Sequence, residues 1–213
     1  MKIKIDLHVH TNYSPCALLK PEEIEKIALE HGLNGVAITD HNTIDGALEV
    51  LSSAQSIRII VAEEIKTSQG EIIGYFLKEK IPPHLSPRET IKEIRKQGGL
   101  VSIPHPFDRL RSSRIRREAL EDIILEIDMI EIFNARDILT IKKNHLIEKA
   151  VKNGTVPISC SDAHTKIEVG RSYMIIDDYK TPEGFLQNVR NSQQVSRKSP
   201  FWVHIVTKLI RCL

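Results

Sequence analysis

Short apolar runs rich in β-branched residues alternate with helix-like stretches along this chain, which restricts it to repeated βα units around a mostly parallel sheet. Lys2 to His10 alternates strictly, with Ile3, Ile5, Leu7 and Val9 on one side and Lys4, Asp6, His8 and His10 on the other. That pattern predicts a strand with one apolar face. A helix is expected over Pro21–His31, closed by Gly32, then a strand over Gly35–Thr39 and a helix over Ile44–Ala54. Further strands are expected at Ile57–Ala62, Glu71–Leu77, Leu100–Ile103, Met129–Phe133, Val156–Ser159 and Tyr173–Ile176. Intervening helices fall near Pro87–Gln97, Arg116–Glu126, Leu139–Asn153 and Pro182–Val189. Ser86, Pro87 and Glu89 spell a capping box with proline at the first helical position. The link at Ser68–Gly70 is too short for a helix and predicts a hairpin. Strands and helices alternating in this way within one domain point to a small or irregular (β/α) barrel. Residues 1–190 read as that barrel and 191–213 as a basic C-terminal extension. In it Phe201, Ile205, Leu209 and Leu213 recur every four residues, predicting a terminal helix packed through that stripe.

Composition narrows the function classes. With 213 residues, 41% hydrophobic, 27% charged and a net charge of +2, the chain matches an ordinary globular protein and excludes disordered and collagen-like classes. No run approaches the eighteen or so apolar residues of a spanning helix, and MKIKIDLHVH lacks the apolar core of a signal peptide, so a cytoplasmic protein without a membrane partner is expected. Cys16, Cys160 and Cys212 are too widely spaced for a zinc knuckle and read as reduced thiols. Basic residues concentrate in the tail and at Arg109, Arg111, Arg114, Arg116 and Arg117, runs that suit either a solvated face or an anion site. Aromatic content of 5% without a stacking motif gives no support for a nucleic-acid-binding module.

The polar residues at the predicted strand ends carry the chemistry. His8 and His10 end the first strand, Asp40 and His41 the second, and Glu63 and Glu64 the third. His105 follows the fifth between two prolines, and Asp162 and His164 follow the seventh. The C-terminal ends of barrel strands open onto one face, so these side chains converge. Imidazoles and carboxylates without thiolates suit zinc, manganese or iron, and the donors exceed what one ion takes, which indicates two or three divalent metal ions. Metals about 3.5–4 Å apart polarise a phosphoryl oxygen, activate water as hydroxide and stabilise the leaving oxygen. His31, His84, His145 and His204 fall outside the pattern.

The segments DLHVHTNYS (6–14), AITDHNT (37–43), VAEEI (61–65), SIPHPFD (102–108), MIEIFNAR (129–136) and CSDAH (160–164) together resemble the polymerase and histidinol phosphatase, or PHP, family. The resemblance implies a single-domain irregular (β/α)7-type barrel and a stand-alone metal-dependent phosphoesterase. Carried over, His8, His10, Glu64 and Asp162 form one metal site. Glu64 bridges to a second metal held by His105, and His41 with His164 hold a third, with Asp40 as a ligand or an orienting group. Pro15, with Cys16 beside it, stands where many members place an acidic or histidine ligand. Glu71 stands where relatives often have histidine, and its carboxylate still suits the second metal while favouring manganese or iron. Arg136, Arg171 and Arg109 are the candidates for holding substrate phosphate, because a guanidinium fork matches its geometry. Cys160 reads as packing rather than as a nucleophile. The expected reaction is hydrolysis of a phosphate ester by metal-activated hydroxide, on a nucleotide, an oligonucleotide 5′ end or a small phosphomonoester. The alternatives are an amidohydrolase, in which a mid-chain lysine typically takes the bridging slot filled here by Glu64, and a non-catalytic metal-binding accessory domain.

Overall fold

Nine strands form one barrel-shaped, nearly closed sheet in the order β7-β6-β5-β4-β3-β2-β1-β8-β9 in a computed structural model that describes residues 1–108, 110–138 and 145–210. The elements run β1 (Lys2–Val9), α1 (Pro21–Glu30), β2 (Gly35–Ile38), α2 (Asp45–Ser53), β3 (Arg58–Thr67), β4 (Gly70–Tyr75), α3 (Pro87–Lys96) and β5 (Leu100–Ile103). Then follow α4 (Arg117–Ile123), β6 (Met129–Asn134), α5 (His145–Lys152), β7 (Val156–Cys160), β8 (Ser172–Asp177), α6 (Pro182–Arg190), β9 (Gln193–Ser196) and α7 (Trp202–Ile210). Strands β1, β2 and β3 are mutually parallel, as are β5, β6 and β7. Strand β4 runs antiparallel between the two groups, and the Thr67–Gly70 pairing makes the expected hairpin. The capping box of α3 forms as read, with Ser86 and Glu89 exchanging hydrogen bonds, and its buried face Pro87, Thr90, Ile91 and Ile94 lies on β4 and β5. Gly74 permits that approach, since a Cβ there would stand 2.9 Å from Ile94 Cγ1. Among the described residues no helix is long and apolar enough to cross a membrane.

Two apolar layers hold the barrel. Inside, Ile5, Leu7, Ala62, Tyr75, Met129 and Ile158 meet Phe185 and Val189 of α6, which close one end. Outside, α1 to α5 pack on Val36, Ile38, Val101 and Ile130. Each of the larger aliphatic and phenylalanine side chains contributes roughly 1.5–3 kcal/mol by leaving water.

Strand β1 departs from its expected alternation. Ile3, Ile5 and Leu7 face the interior, but Val9 joins the outer layer. Three steps along β1, from Asp6 to Val9, match two along β2, from Val36 to Ile38, so the strand carries a bulge. The bulge turns His8 and His10 to the side that Leu7 faces and leaves Asp6 on the other. Tyr75 crosses the interior and donates its hydroxyl to the Leu7 carbonyl at 2.9 Å. Asp6 accepts from the His8, Ser161 and Gly170 amides at 3.4, 3.1 and 3.0 Å, tying the bulge to the segment after β7.

The tail also differs. Gln193–Ser196 adds an antiparallel edge strand to β8, where no strand was expected, and Gln194 and Ser196 bond across the barrel seam to Ser159. Phe201, just before α7, and Ile205 within it are exposed, whereas Val203 and Thr207 are buried. A polar latch sets this rotation: Arg136 Nη2 donates to Thr207 Oγ1 at 2.7 Å, a contact that a search for apolar spacing does not see. Leu213 and the first part of the helix expected over Leu139–Asn153 lie outside the described residues.

Candidate metal centre

The strand ends bring eight polar side chains together at one mouth of the barrel, and hydrogen bonds behind them set the tautomers of three imidazoles. Asp40 is buried and accepts from Thr11 N, Thr11 Oγ1 and Ser14 Oγ at 2.7, 2.5 and 2.7 Å. Ser14 has then spent its proton, so its oxygen accepts from His10 Nδ1 at 3.1 Å and from the His41 amide at 3.0 Å. His8 Nδ1 donates to Glu131 Oε1 at 2.7 Å, and His164 Nδ1 donates to the Asp162 carbonyl at 2.8 Å. Each of these rings thus presents an Nε2 lone pair, and those of His8 and His10 face each other at 3.0 Å. Two lone pairs at that distance repel unless a cation or proton lies between them.

Glu64 occupies the centre. It stands 2.9 Å from His105 Nε2, 3.0 Å from His41 Nδ1, 3.4 Å from His10 and 3.6 Å from His8. Glu71, from the adjacent antiparallel strand, points to the same place, with Oε2 3.7 Å from His105 Nε2. Asp162 Oδ1 lies 3.5, 3.4 and 3.5 Å from His8, His10 and His164. Neither Asp162 Oδ1 nor Glu71 Oε2 has a hydrogen-bond partner although both are buried. Among the described residues, three donor sets have all their ligand atoms within 4.8 Å of one another: His8, His10 and Asp162; His10, His41 and His164; and His41, Glu64 and Glu71. Buried lone pairs and orphaned carboxylate oxygens fit divalent cations, since each is costly without a positive partner.

The electrostatics agree. Burial opposes charge on His8, but Asp162, Glu131 and Glu64 outweigh it and hold its pKa well above the ordinary value. Burial likewise works against ionised Asp162 and is overcome by Arg111 and His8, which hold that carboxyl well down. Glu64 is held down against burial by His8 and His41. His164 is pushed the other way, by burial and then by His10 and Arg136, and stays neutral. Glu71 is raised by burial and by Glu64. A divalent ion replaces the protons that otherwise balance these carboxylates, so loading tightens as pH rises through the histidine range.

Of the adjacent pair Glu63 and Glu64, strand alternation sends Glu63 outward, where Oε2 accepts from the Ile81 amide at 2.8 Å and Oε1 has no partner. Burial lifts its carboxyl to about 7 from an ordinary 4.5. The folded protein holds a proton between those values that the unfolded chain has released, so stability falls as pH rises through that window. Glu63→Gln is expected to flatten this slope and add roughly 1–3 kcal/mol above about pH 7. Urea denaturation over the window checks it, and an unchanged slope counts against it.

The structure places the expected arginines differently from one another. Arg136 is committed to Glu168 at 3.1 Å and to Thr207, and Glu168 in turn accepts from the His164 amide at 3.1 Å. Arg171 donates Nε to the Ile167 carbonyl at 3.1 Å. Arg109 lies outside the described residues. From the same arginine cluster it is Arg111 that reaches the centre, with Nη2 2.5 Å from Asp162 Oδ2 and Nε 3.2 Å from Asp108. Sequence reasoning also passed over Glu131, whose Oε2 accepts from the His105 amide at 2.8 Å and from Asn134. Its signal was a carboxylate inside an otherwise apolar strand. Asp40 stands behind the centre rather than in it, and Gly46 packs against it so closely that a Cβ would overlap Asp40 Oδ2. Cys160 is buried, and burial raises its thiol pKa well above the ordinary value.

A family model described as the PHP domain matches residues 6–153. The chain is 40% identical over 164 residues to the uncharacterized protein MJ1587 of Methanocaldococcus jannaschii, covering 70% of this chain and 92% of that protein. In fold it is similar to a two-domain protein of Bacteroides vulgatus containing a predicted PHP-like metal-dependent phosphoesterase (TM-score 0.74, 17% identity, 92% of this chain and 65% of that one). It is also similar to endonuclease Q in complex with a 27-mer duplex bearing an abasic lesion (TM-score 0.62, 17% identity, 90% of this chain and 57% of that one). The chain thus spans less than two thirds of either solved protein. The matched stretch takes in the strand ends from His8 to His105 that build the centre, and by this match and the Methanocaldococcus likeness the chain belongs to the PHP domain family.

Proposed function

We propose that the chain hydrolyses a phosphate ester, with a nucleotide or the 5′ end of a short oligonucleotide as substrate, using two or three divalent ions among manganese, zinc and iron. The observation that carries this is the set of converging Nε2 lone pairs on His8, His10 and His164, fixed from behind and interlocked with Glu64. In this reading His8, His10, Glu64 and Asp162 hold one ion; Glu64, His105 and Glu71 hold a second; and His41 with His164 hold a third. When bound, such ions activate water and neutralise charge on a phosphoryl group.

The chain's own residues orient and select. Glu131 and the Asp40–Ser14 pair keep His8 and His10 in the tautomers that leave Nε2 free. Arg111, anchored by Asp108 beside Asp162, is the guanidinium best placed to fork onto substrate phosphate, in preference to Arg136 and Arg171. Lys198 stands 4.8 Å from the Phe133 ring centroid and donates to the Asn134 and Asp137 carbonyls beside Pro106 and Phe107. The DNA duplex held by endonuclease Q supports a polynucleotide as one member of the substrate class. Glu64 rather than a lysine at the centre disfavours the amidohydrolase alternative.

Phosphate release by manganese-loaded protein from nucleotides, histidinol phosphate and 5′-phosphorylated oligonucleotides tests this, with His8→Ala run alongside. The expected result is release from one class, lost in the variant while the far-ultraviolet spectrum is kept. No release from any class by metal-loaded protein would move the assignment to the non-catalytic metal-binding alternative.

A further inference from the structure

We propose that Asp137 is the acid that protonates the leaving oxygen, fitting the centre to phosphate esters of alkyl alcohols such as a ribose hydroxyl. This rests on the phosphoester reading above and deepens it on the leaving-group side. Asp137 sits in the turn after β6, where its amide donates to the Asn134 carbonyl at 3.1 Å and its carbonyl accepts from Lys198 Nζ. Two routes tie that turn to the metal centre. Asn134 Nδ2 donates to Asp162 Oδ2 at 3.2 Å, and Arg111 Nη2, 2.5 Å from the same Asp162 oxygen, stands 3.9 Å from Asp137 Oδ1. A phosphate forked onto Arg111 therefore lies beside both Asp162 and Asp137.

Two acids flank Arg111, and only one is uncommitted. Asp108 accepts from Arg111 Nε at 3.2 Å and from the Leu110 amide at 3.0 Å. Asp137 Oδ1 is buried with no hydrogen-bond partner, in a carboxyl that is 17% exposed and lines a groove with Pro106, Phe107 and Phe133. A polar atom left in that state gains by meeting a substrate oxygen. Burial lifts this carboxyl from an ordinary 3.8 to about 7, against Arg111 and His105 and helped by Glu131 and Asp108. The other carboxyls at the mouth are unsuited, since Asp162 and Glu64 are held ionised and Glu71 belongs to a donor set. In the reaction the attacking water's oxygen bonds to phosphorus as the ester P–O bond breaks. That bond's electron pair stays on the leaving oxygen, which takes the Asp137 proton, and the proton shed by the water restores the carboxyl through solvent. No oxidation state changes. An alkoxide needs this proton to leave, whereas a thiolate, the base of a far stronger acid, does not.

Matched substrates test the assignment on the manganese-loaded full chain: thymidine 5′-monophosphate and a 5′-phosphorylated oligothymidylate, each with the native 5′-bridging oxygen or with sulfur in its place. Asp137→Asn is expected to lose about 10²- to 10⁴-fold in kcat on the oxygen esters and to keep the parent rate on the sulfur ones. Its metal content by elemental analysis and its affinity for inorganic phosphate by calorimetry are expected to match the parent chain, because free phosphate carries no leaving group. A loss that sulfur does not rescue, or weakened phosphate binding, places Asp137 behind Arg111 and overturns the proposal while leaving the phosphoester reading intact. Full activity of the variant on the oxygen esters overturns it equally. If the parent chain releases no phosphate from the oxygen esters, the phosphoester reading fails on this substrate class and the proposal falls with it.

Discussion

Glu64→Gln is expected to lower bound metal and to cut turnover of a phosphorylated substrate by on the order of 10³-fold or more, the several kcal/mol that metal stabilisation of transition-state charge supplies. The substitution keeps the shape and removes the charge. It acts at the point where His8, His10, His41 and His105 all lie within 3.6 Å of one carboxylate. The backbone is spared, because Glu64 N still donates to the Asp40 carbonyl and its own carbonyl still accepts from Asn42 N. Far-ultraviolet dichroism should therefore match the parent chain while elemental analysis shows the loss of metal. Full metal content in the variant would remove Glu64 from the centre of the assignment.

Arg111→Ala is the second large effect, and its signature differs. The variant is expected to keep its metal at neutral pH and lose about 10²- to 10³-fold in kcat/KM, the usual effect of deleting one preorganised donor to a transition-state oxyanion. Lysine should restore only part of it, since an ammonium lacks the bidentate fork. The sign of a second readout follows from Asp162. Burial raises its carboxyl and Arg111 holds it down, so removing the guanidinium lifts the value and lets protons compete with metal as pH falls. Metal content of the variant should drop at a higher pH than that of the parent. If activity instead falls strictly in step with metal at every pH, Arg111 serves the ligand and not the substrate.

Much of this centre was legible from strand endings alone. His8, His10, His41, Glu64, His105, Asp162 and His164 were placed at one mouth because barrel topology sends all strand C-termini there, and the structure brings them together. What escaped was set by tertiary contacts that local spacing does not encode. Simple alternation put Val9 with Leu7 and Asp6 with His8, and a one-residue bulge in β1 reverses both. Nothing in five neighbouring arginines singles out Arg111 until the loop after β5 lays it against Asp162. Strand β9 reads as tail because QQVS is short and polar, and it becomes a strand by completing β8 and the seam to Ser159. The inward face of α7 is chosen by a hydroxyl meeting Arg136, which a count of apolar residues passes over.

His105 and Asp162 carry backbone φ values of 29° and 56°, in the left-handed region that side-chain-bearing residues rarely enter. Each such position costs on the order of 1–3 kcal/mol, so the His105 amide's bond to the Glu131 carboxylate and the Ala163 amide's bond to the His8 carbonyl must hold the chain there. Two requirements therefore act on the same residues, one from coordination chemistry and one from chain geometry. Aspartate and histidine meet both, whereas β-branched replacements meet neither. A lineage that gave up catalysis would be freed from the first demand only, and its substitutions at these two sites should drift toward asparagine and glycine, a bias by which silent descendants can be told from working ones.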